Sequence, residues 1–185
     1  KFFFLNNSIV SSCLLISNVH KDIYLNLPIP ILVLIFRNIG QHFFNYIHYF
    51  PLIFILYFTL YDVSFINLIL FMLGLIFLFF QVLLLSSLAC IISTRYRDFN
   101  PLIVSIMSAA TLLTPIMWKK EMLGDKAEYA YLNTFTFIVE IVRDPIIGIV
   151  PDIKVYFLNF CFLILLYLVL HFVMKYKGDR IIYWI

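Results

Sequence analysis

Between Asp62 and Arg95 the chain reads VSFINLILFMLGLIFLFFQVLLLSSLACIIST, residues 63–94, without one lysine, arginine, aspartate or glutamate. A helix needs about 20 mostly apolar residues to cross the roughly 30 Å hydrocarbon core of a bilayer, and this run exceeds that. Its apolar residues are continuous rather than alternating, which argues against a strand of a transmembrane barrel. In hydrocarbon every backbone N–H and C=O must find a partner inside the segment, so the run predicts a membrane-crossing helix.

Outward from it, residues 38–61, 99–118 and 155–174 are also free of those four residue types and long enough to cross. A fifth run, 2–19, opens the sequence directly after Lys1 and reads as the remainder of a cut span. The expected fold class is therefore an all-α integral membrane protein, a polytopic helical bundle forming one domain over 1–185. Composition agrees: of 185 residues 64% are hydrophobic and 12% charged, whereas a soluble domain is about a quarter charged. The net charge of +3 comes without a basic block, so nucleic acid is not an expected partner. Cys13, Cys90 and Cys161 lie far apart inside apolar runs and read as free thiols.

Cationic residues set the expected orientation, because cytoplasmic loops carry the excess. Lys21, Arg37, Arg95, Arg97, Lys175, Lys177 and Arg180 fall on one side if the 95–98 turn is inside, which makes the longer 119–154 connection external. Within 17–37, Pro28 and Pro30 break an apolar stretch too short to cross, so this segment is expected at the inner interface. In the turn Arg95-Tyr96-Arg97-Asp98-Phe99-Asn100-Pro101, Arg95 and Arg97 suit the negative end of one helix. Asn100 is the expected N-cap of the next, with Pro101 at its first position. The external connection holds a helical pattern at Phe135, Ile138, Val139 and Val142, expected to stop at Asp144-Pro145 and to lie as a re-entrant or interfacial lid.

Chemistry is sparse. The five glycines are isolated and none starts a phosphate-binding loop, the histidines lack zinc-helix spacing, and no serine sits in a nucleophile elbow. No catalytic residue, metal site or cofactor is expected in this chain. One span carries a polar stripe: Asn38, Gln41, His42, Asn45 and His48 recur every three or four residues and share a helix face. Two readings stand, helix–helix hydrogen bonding or the wall of a translocation path, for which uncharged donors and acceptors suit sugar hydroxyls. In the outer segment Glu140, Arg143 and Asp144 lie at i, i+3 and i+4, either as a local salt-bridge cluster or as a gate touching substrate. Arg95 and Arg97 read equally well as anchors at lipid phosphates. Pro51 and Pro115 are expected to bend the spans that contain them.

Three stretches in order resemble one family. Residues 93–101, Ser93-Thr94-Arg95-Tyr96-Arg97-Asp98-Phe99-Asn100-Pro101, with Leu112-Leu113-Thr114-Pro115-Ile116, resemble the cytoplasmic turn and Pro-containing span of type-2 ABC exporter permeases. Asn133-Thr134-Phe135 with Ile138-Val139-Glu140-Ile141-Val142-Arg143-Asp144-Pro145-Ile146-Ile147-Gly148 is similar to the outer re-entrant segment of the polysaccharide-exporting branch. The ending Asp179-Arg180-Ile181-Ile182-Tyr183-Trp184-Ile185 is similar to that of its O-antigen members.

The resemblance covers nearly the whole chain and implies a six-span permease, here without its N-terminal part, in the bacterial inner membrane. It implies export of a lipid-linked polysaccharide of O-antigen type for lipopolysaccharide, a homodimer, and a separate ABC ATP-binding subunit that holds ATP and Mg. It further implies that Ser17, Asn18, His20, Lys21 and Asp22 contact the ATPase and that Phe135, Glu140, Arg143 and Asp144 gate the outer mouth. Leu27-Pro28-Ile29-Pro30 departs from the family's Phe-Pro-Arg-like step by lacking the basic residue. Alternatives are export of teichoic acid, capsule or a small drug by the same fold, or a membrane-embedded glycan ligase or glycosyltransferase using Glu140, Arg143 and Asp144.

Overall fold

A computed structural model describes residues 31–47, 51, 55, 64–96, 98–115, 122, 124 and 129–177. Five helices of more than four residues run through them: α1 (Ile31–Ile47), α2 (Phe65–Arg95), α3 (Phe99–Leu113), α4 (Thr134–Ile146) and α5 (Ile153–Lys177). Among the described residues there is no strand. Two helices, α2 and α5, are long and apolar enough to cross a membrane. At 1.5 Å per residue α2 is about 46 Å long and α5 about 37 Å.

Helix α2 is the hub, in contact with each of the other four. Its direction relative to α4 and α5 follows from three levels. At the lowest-numbered end Asn67 meets the loop after α4, its Nδ2 donating to the Gly148 carbonyl at 3.2 Å. Near the middle Gln81 meets Asn159 of α5. At the far end Ile91, Ile92 and Arg95 of α2 face Phe172, Val173 and Tyr176 of α5 across one cleft. Rising residue numbers thus match between α2 and α5, which are parallel, while α4 runs opposite to α2. The shared end carries Arg95 and Lys175, so the structure brings together two cations that the sequence reading assigned to the same side.

Helix α1 packs on α2 through the fully buried Ile35 and Ile39. Phe79 of α2 sits edge-on to both Phe36 and Phe43, with ring centroids 6.0 and 6.3 Å away. The helix is described from Ile31 and carries Arg37 in its interior as an exposed residue. Residues 31–37 of the stretch expected to be broken are therefore helical, while Pro28 and Pro30 lie outside the described residues. Pro51 and Ile55 are also helical.

Two further boundaries move. Helix α3 has 15 residues rather than the expected 20, and ends at Leu113. Its C-cap Thr114 takes extended dihedrals, φ −80° and ψ 135°, as the clash with a following proline ring demands, so Pro115 ends the helix instead of bending it. Helix α3 also starts at Phe99 with Asp98 at its N-cap, so Asn100 is not the cap and Pro101 is the third helical residue. That position still lies among the first four, whose N–H groups have no intrahelical acceptor, and a proline there costs nothing.

Candidate functional site

Helix α4 is expected to stop at Asp144-Pro145 and to lie as a re-entrant or interfacial lid; it runs on through Pro145 to Ile146, which corrects the stop, and it is largely buried. Every residue from Thr136 to Val142 is buried, as are Asp144 and Pro145. The helix is wedged between α2 and α5 rather than laid over them. Its N-terminus is fixed by Asn133, whose side-chain oxygen accepts from the Phe135 N–H at 3.1 Å. Its C-terminus is a Schellman turn: Gly148 at φ +86° donates to the Pro145 carbonyl at 3.3 Å, and Ile149 donates to Asp144 at 2.9 Å. Glycine at 148, not proline at 145, stops the helix.

Pro145 acts elsewhere. It has no N–H to return to the carbonyl four residues earlier, that of Ile141. That carbonyl oxygen lies against Gly74 of α2, where an added Cβ would come within 2.5 Å of it. Only a residue without a side chain allows the two backbones to approach so closely, and the exposed Cα–H groups of glycine are suitable weak donors to such an oxygen.

Around this crossing lies a polar network that the sequence reading did not single out. Gln81 Nε2 donates to Asn159 Oδ1 at 2.9 Å, and Asn159 Nδ2 donates to the Phe137 carbonyl at 2.9 Å and to the Val155 carbonyl at 2.8 Å. One asparagine therefore binds α2, α4 and its own helix together. Gln81 and Asn159 are both fully buried. The available signal was periodic: Asn67, Gly74 and Gln81 stand seven residues apart inside an otherwise apolar run, one stripe along one helix face.

The proposed gate residues are now placed. Glu140 is 1% exposed, in the interior. Arg143 Nε pairs with the Asp144 carboxylate at 3.2 Å, and its Nη1 donates to the Pro115 carbonyl at 2.8 Å just beyond α3. Thr114 receives a second link, from Asn133 Nδ2 at 3.1 Å. Phe135 is half-buried and packs beside Ala110 and Val139. The cluster expected at 140, 143 and 144 thus contains an ion pair between neighbours in sequence.

The α1 stripe is divided. Asn38 is buried, His42 is intermediate and Gln41 is exposed. The side chain of Asn45, and His48 as a whole, lie outside the described residues, as do Ser17, Asn18, His20, Lys21, Asp22 and Arg97. Arg95 and Asp98 are exposed, Asn100 is intermediate and Pro101 exposed. Cys90 is a buried free thiol and Cys161 an exposed one; Cys13 lies outside the described residues. Among the described residues no group of three histidine, cysteine or acidic side chains is placed to hold a metal ion. No family model matches the chain, and no curated protein matches it either.

Proposed function

We propose that this chain is the permease subunit of an ATP-driven ABC exporter that moves a lipid-linked polysaccharide of O-antigen type across the bacterial inner membrane. One observation supports the membrane part above all: large apolar side chains face outward along two helices while several polar ones are buried. Gln81, Asn159, Asn67 and Glu140 are buried, while α3 and α5 turn Leu102, Ile106, Leu112, Phe157, Leu165 and Phe172 outward. Such an apolar exterior over large areas fits lipid as the surrounding solvent, and polar groups in such a bundle belong inside. Helix α4 covers only the Asn67–Gln81 half of α2, which fits a re-entrant outer helix of the kind that the resemblance implies.

On this reading the work is mechanical. ATP-driven closure of separate ATP-binding subunits, which hold ATP and Mg, rocks two copies of the permease against each other and opens a path for the glycan. Glu140 and Arg143 weigh against the ligase alternative, since the first is interior and the second is engaged by Asp144 and the Pro115 carbonyl. The test is co-purification of the tagged chain with an ABC ATP-binding subunit, together with loss of surface glycan on deletion. Unaided ATP hydrolysis by the purified chain, or export intact with only sugar attachment lost, would overturn the proposal.

A further inference from the structure

At the end of the bundle where α2 and α5 both terminate, a cleft of about 240 Å³ opens between them. Its chemistry is layered along the helix axes. Ile92, Phe172 and Val173 form an apolar floor, and one turn further out Arg95 and Tyr176 form the rim. Arg95 lies with its guanidinium carbon 5.2 Å from the centroid of the Tyr96 ring, and the rings of Phe172 and Tyr176 are 4.4 Å apart. Lys175 is exposed next to Tyr176. None of the described lining residues is acidic.

We propose that this cleft binds one phospholipid with an anionic headgroup, its phosphate at Arg95 and the start of an acyl chain against Ile92, Phe172 and Val173. The proposal rests on the membrane reading given above. Charge complementarity selects the headgroup: the last carbonyls of α2 contribute partial negative charge here, and the full positive charge of Arg95, the one charged side chain among the described lining residues, outweighs it. The apolar floor selects a lipid over a free anion, because phosphate alone gains nothing from isoleucine and phenylalanine. The rim tyrosine is of the amphipathic type that resides at headgroup level. Bound there, the lipid fills a gap between the two long helices at the end where no polar stitch joins them among the hydrogen bonds described above.

The full chain, extracted with detergent from membranes, is incorporated into bilayer discs of equal phosphatidylglycerol and phosphatidylcholine, then released and weighed by native mass spectrometry. Phosphatidylglycerol is expected to be retained in preference. Arg95→Gln is expected to reduce that preference about fivefold, the factor corresponding to about 1 kcal/mol for one cation near an anionic surface; Arg95→Lys is expected to keep most of it. Ile92→Trp, which narrows the floor, lowers retention of both lipids. Equal retention by Arg95→Gln and the unaltered chain, retention of neither lipid, or a thermal shift from inorganic phosphate equal to that from phosphatidylglycerol would each overturn the site. Partition of the chain into the membrane fraction is recorded separately: a chain recovered in water without detergent ends the membrane reading itself, whereas a membrane-bound chain without lipid preference ends only this inference.

Discussion

Two short helices of similar length behave in opposite ways. Helix α3 carries no charged residue and buries only Ile103, Met107 and Ala110. Helix α4 contains Glu140, Arg143, Asp144 and three other polar or proline positions, yet is enclosed almost completely. In water hydrophobicity would drive the reverse arrangement. Where lipid replaces water, apolar side chains gain little from leaving the solvent, and helices associate through close packing and hydrogen bonds instead. Helix α4 has those features in Gly74 opposite Ile141 and in Asn159 opposite Phe137; among the described residues α3 is linked to it at its end, through Thr114 and Pro115.

The strongest way to break this contrast is at Gly74. Gly74→Leu is expected to abolish recovery of folded protein in detergent, and Gly74→Ala to destabilise by about 1–3 kcal/mol, the usual cost of overpacking, since the obstructing atom is backbone and cannot rotate away. Thermal unfolding followed by tryptophan fluorescence measures it; an alanine variant as stable as the parent would refute the close crossing. Next comes Asn159→Leu, which removes the link to the Phe137 carbonyl and leaves Gln81 only its 3.3 Å bond to the main-chain carbonyl of residue 159. A loss of about 1–2 kcal/mol is expected, and the double variant with Gln81→Leu should cost less than the sum of the singles. Asn67→Ala, with one bond to Gly148 at an end of the bundle, is expected to cost only about 0.6 kcal/mol. At the bottom of the scale, Ile106→Ala on the outer face of α3 should stay within about 0.5 kcal/mol. A large effect there would mean that this face is covered, and the contrast between the two short helices would dissolve.

Much of the architecture was readable in the residues. The uninterrupted apolar runs at 63–94 and 155–174 became α2 and α5 within two or three residues at each end, because length and continuity are local properties. The α4 pattern at Phe135, Ile138, Val139 and Val142 also produced a helix. Its enclosure was not readable, since it depends on a glycine 67 residues earlier in the chain, as Gly74 and Ile141 show. Thr114-Pro115 was a legible stop, passed over because the apolar run continues to Trp118. The stitch at Gln81 was visible as an amide inside hydrocarbon-like sequence, but Asn159 could not be named as its partner without knowing that α2 and α5 are parallel.

That parallel arrangement dictates how the chain gets back. Past Arg95 the chain must turn back before α5 can run alongside, and α4 is a return stroke. The end of α3 is buttoned to that stroke twice, Thr114 to Asn133 ahead of it and the Pro115 carbonyl to Arg143 within it, so the two short helices are moored side by side and the neutral one is held by the charged one.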